Sequence, residues 1–336
     1  MKRITREEAA GLLGRPRLMR DELPAAAAAL RERGLAEALL ITGGRERLAL
    51  DWLDTPHARG WLASPRRGGA LALPEGFVAA DAAVLARFAA DDAFPWLSFG
   101  EAPVFHETPP PPAPPLGLYA IVDSAERVRA VLAAGIRTIQ LRIKDTPPRL
   151  AAEIAEAAQA CRAAGARLFV NDHWQLASAC GAHGTHLGQE DLLAMSERER
   201  GELKLSGLAL GISSHSPWEL ARARSLAPAY IACGPVWSTL TKAMPWRPQG
   251  LDNLRWWCAV AGVPVVAIGG ILTTEQISAA AGCGADGVCV VRMLGDEPAV
   301  TVPAIQQALG RTFAPTTCRI HARPGAALPI IRATLG

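Results

Sequence analysis

From Leu116 onward, short apolar runs alternate with stretches of helical spacing. The runs, interpreted as strands, are LGLYAIV, TIQL, RLFV, GTHL, LALG, YIAC, VPVVAI and GVCVV. Several of the stretches between them end at a glycine suited to a helix C-terminal cap. Strands that are apolar throughout indicate a parallel sheet buried on both faces. Eight such units in about 195 residues predict a (β/α)8 TIM barrel, an α/β fold, and no dinucleotide-binding fingerprint follows the first run.

A proline-rich segment, PPPPAPP, precedes the first of these runs. Prolines cannot donate backbone hydrogen bonds and favour an extended conformation, so this segment is typical of a stiff spacer between domains. The alanine-rich composition before it differs from the alternating pattern after it. We therefore predict a first domain over 1–108, a linker over 109–115, the barrel over 116–312 and a C-terminal tail over 313–336, to which we assign no function.

Composition excludes several classes of protein. Half of the 336 residues are apolar and 20% are charged, which is typical of a globular protein and not of collagen or a coiled coil. A net charge of +3 gives no extended positive field, so we expect neither nucleic acid nor membrane as a partner. No apolar run reaches the roughly 20 residues of a membrane span, and the first residues lack a secretory signal, so a cytoplasmic location is predicted. The seven cysteines show no CxxC spacing and suggest no zinc site.

Active sites of TIM barrels lie at the carboxyl ends of the strands. The second predicted strand runs into Gln140, Arg142 and Lys144, an amide and two cations suited to an anionic ligand. The third ends in Asn171 and Asp172, and Asp191 follows the fourth. Two carboxylates on neighbouring strands suit Mg2+, which completes its shell with water and phosphate oxygens. Each aspartate alone could instead be a helix N-cap.

Polar residues and glycines follow the later strands as well. Ser213 and Ser214 follow the fifth and could be ligands to the substrate or helix N-caps. Thr239, Thr241 and Lys242 lie in a long loop after the sixth, where hydroxyls and an ammonium suit a phosphate. Gly269 and Gly270, after the seventh, allow close backbone approach to a second anion near the turn after the eighth. The histidines lack metal-ligand spacing and are predicted to be structural; they are His173, His183, His186 and His215.

The motifs QLRIKD, VNDHW, HLGQED, GISSH, STLTKAMP and AIGGI, in this order, resemble those of the thiamine-phosphate synthases. The resemblance covers residues 116 to about 309. It implies a TIM barrel that joins 4-amino-2-methyl-5-hydroxymethylpyrimidine diphosphate to hydroxyethylthiazole phosphate and releases pyrophosphate. By this resemblance the groups acting on the diphosphate are Arg142, Lys144, Ser213 and Lys242, and Mg2+ is the cofactor on Asp172 and Asp191.

The resemblance also implies the remaining substrate contacts. On the pyrimidine side these are Gln140, Leu141, Ile143 and Asn171. On the thiazole phosphate side they are Thr239, Leu240, Thr241, Gly269, Gly270, Val291 and Arg292. Family members commonly carry serine where Arg292 stands, so this position is a departure from the pattern.

The first domain resembles the C-terminal half of hydroxymethylpyrimidine phosphate kinase, a ribokinase-like α/β protein. The segments that carry this resemblance are PAAAAALRERG, EALLITGG and ALDWLDTPHARGWLASPR. That kinase has a GTGC-type anion hole, whereas this chain reads RRGGALALPEGFVAADAAVL there. Without an anion hole and a base, phosphoryl transfer should fail, so we predict an inactive remnant.

Two other functions stay open at this point. A thiazole tautomerase of the same barrel family would not need all of Lys144, Asp172, Asp191 and Lys242, and a non-catalytic regulator would only bind thiamine precursors. The sequence leaves a homo-oligomer open.

Overall fold

The computed structural model describes residues 1–43, 48–65, 69–101, 115–144, 148–239 and 247–310. These residues form two compact units: the first contains residues 1–101 and 216–227, and the second contains residues 115–215 and 228–310. The predicted tail, 313–336, and all of the predicted linker except Pro115 lie outside the described residues. Within the described ranges, no helix is long and apolar enough to cross a membrane.

The first unit contains a five-stranded sheet in the order β1-β2-β3-β4-β5. Its strands are β1 (Lys2–Thr5), β2 (Leu39–Thr42), β3 (Leu48–Asp54), β4 (Arg59–Pro65) and β5 (Trp96–Leu97). Its helices from the N-terminal region are α1 (Arg6–Leu12), α2 (Leu23–Glu32) and α3 (Ala79–Asp91). Only β1 and β2 pair in parallel, and the other neighbours are antiparallel. The α/β nature of this segment is confirmed, while its ribokinase-like origin stays a prediction.

The second unit is a closed barrel of eight parallel strands in sequence order. The strands are β6 (Gly117–Val122), β7 (Thr138–Leu141), β8 (Arg167–Asn171), β9 (Gly184–Leu187), β10 (Ala209–Ser214), β11 (Tyr230–Cys233), β12 (Val265–Ala267) and β13 (Gly287–Val290). Each one lies within or overlaps a predicted apolar run. The predicted TIM barrel is therefore confirmed.

Helices follow the barrel strands along the chain. They are α4 (Ala125–Ala133), α5 (Leu150–Ala163), α6 (Trp174–Ala179), α7 (Gln189–Ala194), α8 (Glu197–Leu205), α9 (Pro217–Arg224), α10 (Gly250–Val260), α11 (Thr274–Gly282) and α12 (Pro298–Gly310). One of them, α9, belongs to the first unit, where it packs against α3 and β5. The sequence did not predict this grouping.

Aromatic residues fill the barrel interior. Tyr119, Phe169 and Tyr230 pack together with ring centroids 5.1 to 6.0 Å apart. Neighbouring strands make room for them with glycines, since a Cβ on Gly211 would overlap the ring of Tyr230 and one on Gly184 would overlap Phe169. The glycines thus allow large rings in a narrow barrel, and two of those rings carry a hydroxyl group.

Candidate active site

Strand β7 positions the residues predicted to bind the pyrimidine diphosphate. Gln140 and Leu141 are its last two residues and are buried, whereas Arg142 and Ile143 lie just beyond it and are partly exposed. Lys144 follows in the loop and is exposed. The strand is shorter than the alternation of Gln140, Arg142 and Lys144 implied, so the two cations are carried by the loop. A loop position leaves both side chains access to solvent and to a charged ligand.

The next two strands position the predicted acidic residues. Asn171 ends β8 and is 7% exposed, and Asp172 follows it with a left-handed backbone (φ 65°). The amide of Asp172 donates to the carbonyl of His186 on β9 (3.0 Å), so this backbone bond fixes the end of β8 against the neighbouring strand. Asp172 is not a helix N-cap, because that position before α6 belongs to His173.

Asp191 is not a helix N-cap either, but it bonds the backbone at the start of α7. It is the third residue of α7, and its Oδ2 accepts a hydrogen bond from the amide of Gly188 (2.8 Å). One carboxylate oxygen is therefore occupied by the backbone, and the side chain remains partly exposed. Asp191 is therefore not the N-cap of α7, which is Gly188, and its second carboxylate oxygen is left for the proposed metal.

Ser213 and Ser214 are the last residues of β10 and do not cap a helix. The N-cap of α9 is Ser216, whose side chain accepts from the amide of Glu219. Ser214 is fully buried, and its Oγ accepts from Gln189 Nε2 (3.0 Å). Ser213 is partly exposed, and its Oγ lies 2.8 Å from Nε2 of His186. Of the two serines, Ser213 is the one available to a ligand.

Sequence reasoning missed the partners of Ser213. His186 was predicted to be structural, yet it bonds both Ser213 and the hydroxyl of Tyr230 (Nδ1 to OH 2.8 Å). Burial, with smaller contributions from Arg142 and His215, lowers the pKa of His186 to about 4. The imidazole is therefore neutral at physiological pH. His186 lies inside the predicted apolar run GTHL, and a histidine at a buried strand position was the signal that could have indicated a site residue.

The last strands form the region predicted to hold the thiazole phosphate. Gly269 and Gly270 follow β12 with positive φ angles of 89° and 73°. A Cβ on Gly270 would lie 2.5 Å from the carbonyl oxygen of Trp237, and one on Gly269 would lie 2.7 Å from Cα of Pro235. Only glycine suits these two positions, because the backbone conformation and the close approach both exclude a side chain.

Other residues predicted for this region have mixed outcomes. Thr239 is partly exposed after β11, and Val291 and Arg292 follow β13, with the Arg292 side chain exposed at the start of a single 3-10 turn, Arg292–Leu294. Leu240, Thr241 and Lys242 lie outside the described residues. A pocket of about 400 Å3 lies at the opposite end of the barrel, beside Leu116, Arg137 and Arg167, away from the predicted site.

The donor set at the carboxyl-terminal end fits a magnesium ion. Asp172 and the loop to Asp191 belong to neighbouring strand ends, and both carboxylates reach solvent. Among the described residues, no group of three or more His, Cys, Asp and Glu side chains could hold a metal. Mg2+ typically uses only one or two protein carboxylates and takes phosphate and water oxygens as its other ligands. Two aspartates therefore suffice for an ion bound together with a phosphorylated substrate.

A family model described as thiamine monophosphate synthase matches residues 118–294, which is just over half of the 336-residue chain. The chain belongs to the thiamine monophosphate synthase family. The match coincides with the barrel and includes the described rim residues from Gln140 to Arg292. The predicted family and its fold are confirmed.

Curated relatives support this assignment. A thiamine-phosphate synthase of Rhizobium etli is 45% identical over 182 residues, which are 54% of this chain and 87% of that protein. A thiamine-phosphate synthase of Neisseria meningitidis serogroup B is 43% identical over 206 residues, which are 61% of this chain and 96% of that protein. A solved thiamine phosphate pyrophosphorylase of Pyrococcus furiosus matches with a TM-score of 0.52 at 30% identity, covering 59% of this chain and 98% of that one.

The family assignment makes this chain a transferase of thiamine biosynthesis that acts on small molecules, as predicted. The family model begins at residue 118, so it leaves residues 1–117 outside the match. The resemblance of the first domain to a kinase therefore stays a prediction, and so do the roles of the individual site residues.

Proposed function

We propose that this member of the thiamine monophosphate synthase family joins the pyrimidine diphosphate and the thiazole phosphate at the carboxyl-terminal end of its barrel, with Mg2+ on Asp172 and Asp191. The observation that carries the proposal is the linkage of three consecutive strand ends. The amide of Asp172 donates to the backbone carbonyl of His186 in β9, and the imidazole of His186 is hydrogen-bonded to the hydroxyl of Ser213 in β10. Asp172, the predicted metal ligand, and Ser213, the predicted substrate ligand, are thereby connected through His186.

The leaving group explains why cations dominate the predicted site. Departure of pyrophosphate from an electron-rich aminopyrimidine methylene leaves a carbocation-like carbon, which the lone pair of the thiazole nitrogen captures. Arg142 and Lys144 stabilise the negative charge on the departing diphosphate, and Lys242 is proposed to join them. Mg2+ bound at the two aspartates supplies further electrostatic stabilisation of the phosphate oxygens. No general base is needed, because the nucleophile is a neutral, pyridine-like ring nitrogen whose lone pair is already free.

The thiazole phosphate is assigned to the ends of β11, β12 and β13. Gly269 and Gly270 have left-handed backbones packed closely against Pro235 and Trp237, and the amide N–H groups of this turn are proposed to bind the phosphate. Thr239, Leu240, Thr241, Val291 and Arg292 complete this part of the proposal. The exposed guanidinium of Arg292 adds a positive charge where relatives are expected to carry serine.

The test is a coupling assay with both phosphorylated substrates and Mg2+, followed by measurement of pyrophosphate and thiamine phosphate. Asp172→Ala is expected to abolish coupling while thiazole phosphate binding stays nearly unchanged, because the carboxylate serves only the diphosphate side. Glu190→Ala, which removes an exposed carboxylate next to Asp191, is the matched control and should retain activity.

Three outcomes would contradict the proposal. Isomerised thiazole without coupling would favour the tautomerase, and binding of precursors without turnover would favour the regulator. Equal loss of coupling and of thiazole phosphate binding in Asp172→Ala would refute the division of the site into two anion regions.

We also propose that the first unit is a kinase remnant without phosphoryl-transfer activity. Helix α3 follows the segment where the anion hole is expected, and it begins after Val78 with a buried carboxylate, Asp81, in its first turn. A carboxylate there is unfavourable for a bound phosphate. Formation of pyrimidine diphosphate from the monophosphate and ATP would refute this proposal. The cytoplasmic location and the oligomeric state stay predictions.

A further inference from the structure

Five side chains form a continuous hydrogen-bonded relay through the barrel interior, which we call the interior relay. Gln140 Nε2 lies 3.2 Å from the hydroxyl of Tyr119, which lies 2.6 Å from the hydroxyl of Tyr230. The Tyr230 hydroxyl lies 2.8 Å from Nδ1 of His186, and Nε2 of His186 lies 2.8 Å from Ser213 Oγ. The relay therefore starts inside the barrel and ends at a residue proposed to contact substrate.

Four members of the interior relay are shielded from water. Tyr119, Tyr230, Gln140 and His186 are each at most 5% exposed, whereas Ser213 is partly exposed at the end of β10. Both imidazole nitrogens bond hydroxyl groups, those of Tyr230 and Ser213. A buried imidazolium without a counter-ion would be costly, so the ring is neutral and has one N–H. The sequence contains only two tyrosines, and both belong to the relay.

The direction of the hydrogen bonds follows from the amide at the inner end. An amide nitrogen only donates, so Gln140 donates to Tyr119, and Tyr119 is left to donate to Tyr230. Tyr230 then donates to Nδ1 of His186, which leaves the imidazole N–H on Nε2 to donate to Ser213 Oγ. The opposite direction would leave the buried Tyr119 hydrogen without an acceptor among these five side chains, at a desolvation cost.

We infer that Tyr230 is a positioning residue that acts through His186 to fix Ser213 as a hydrogen-bond donor toward the pyrimidine substrate. Because Ser213 Oγ accepts from His186, its own hydrogen points to the ligand. A fixed donor selects a ring nitrogen with a lone pair and disfavours the exocyclic amino group at the same place. The inference rests on the proposed function, since it needs a pyrimidine at this site. It involves no proton transfer.

A double-mutant cycle between Tyr230 and Ser213 tests the inference. Tyr230→Phe keeps the ring and removes the hydroxyl, and it is expected to lower kcat/KM for the pyrimidine diphosphate roughly two- to tenfold. In a Ser213→Ala background the same change should have an effect of less than about twofold, because the residue through which Tyr230 acts is gone. Equal effects in the two backgrounds would overturn the inference.

Phe169→Leu is the matched control for core packing. Phe169 packs against both tyrosine rings but is not a member of the relay. Its substitution should perturb the barrel interior to the same extent with or without the Ser213 hydroxyl. Thermal unfolding of every variant measures the loss of stability separately from the kinetic coupling. A Phe169→Leu effect that also vanished with Ser213→Ala would show that the coupling reports packing and would overturn the inference.

A second measurement does not depend on activity. Nitrogen NMR of the full chain with labelled histidine, with His186 assigned by its loss in His186→Gln, should show the proton on Nε2 and a lone pair on Nδ1. Tyr230→Phe should change this tautomer signature. A proton on Nδ1 in the wild-type protein would overturn the inference. Absence of coupling activity would refute the proposed function, whereas the tautomer measurement tests the hydrogen-bond direction in the relay independently of activity.

Discussion

The first prediction concerns Asp81, a buried carboxylate in α3. Its side chain is fully buried, and Oδ1 accepts a hydrogen bond from the amide of Trp218 (2.9 Å) at the start of α9. Burial, together with the nearby Glu219, raises the pKa of Asp81 from 3.8 to about 7, although the Trp218 N–H opposes the increase. The carboxyl group therefore changes its charge near neutral pH.

The raised pKa has a defined effect on stability. Below about pH 4 the group is protonated in both the folded and the unfolded chain, so it does not lower the free energy of unfolding. Between pH 4 and pH 7 only the unfolded chain loses the proton, and the free energy of unfolding falls by about 1.4 kcal/mol per pH unit. Above pH 7 the loss is complete, on the order of 4 kcal/mol for a difference of about three pH units.

Asp81→Asn removes this loss and keeps an oxygen that can accept from Trp218. We expect the variant to be more stable than the wild type at pH 8, with the difference growing by about 3 kcal/mol between pH 5 and pH 7.5. Urea unfolding followed by tryptophan fluorescence at several pH values measures this difference. Asp21→Asn, at an exposed aspartate of the same unit, is the control and should give a difference that is small and independent of pH.

Two results would refute this reasoning. A stability difference for Asp81→Asn that stayed constant from pH 5 to pH 8 would show that burial does not raise the pKa. A variant less stable than the wild type at pH 8 would show that the charged carboxylate stabilises the start of α9 by more free energy than its desolvation costs.

The remaining predictions concern the site, the first sheet and the barrel interior. Gly270→Ala should raise KM for the thiazole phosphate at least about tenfold with little change for the pyrimidine diphosphate, because the new Cβ would lie 2.5 Å from a backbone carbonyl oxygen. Gly165→Ala is the kinetic control, since Gly165 has a similar φ of 61° and open space around it. This variant should leave both KM values unchanged. Arg87→Leu should lower the free energy of unfolding by roughly 3 to 5 kcal/mol, since it leaves two buried aspartates without their cation, and an unchanged urea midpoint would contradict this. Burial raises the pKa of Tyr119 and of Tyr230, so folding stability should fall as the pH rises above 10, where only the unfolded chain ionises; tyrosinate absorbance that appeared near pH 10 before unfolding would contradict it.

The barrel strands were predictable because a closed parallel barrel buries both faces of each strand. TIQL and YIAC are buried at every position, and such runs are visible without any knowledge of their neighbours. Helices α7 and α8 were harder to find. Their segment, QEDLLAMSERERGELKL, is highly polar, although Ser196 and Glu199 form a capping box that marks the start of α8.

The site was predictable as far as it depends on position after a strand. Asn171, Asp172 and Ser213 could be placed at strand ends from the sequence alone. The relay behind Ser213 could not, because Tyr119 and Tyr230 lie 111 residues apart and meet only when the barrel closes. The grouping of α9 with the first unit also depends on tertiary packing, since its sequence, PWELARAR, is typical of an ordinary barrel helix.

Helix α9 has an unusual environment for a helix that follows a barrel strand along the chain. Every residue from Pro217 to Ala223 is buried, and Arg222 lies over the rings of Phe99 and Trp218. A gene fragment that began after the linker would release these side chains into water and favour aggregation of the shortened product. Within the first unit, the amino-terminal segment covers these α9 side chains, which is a protective role that requires no chemistry of its own.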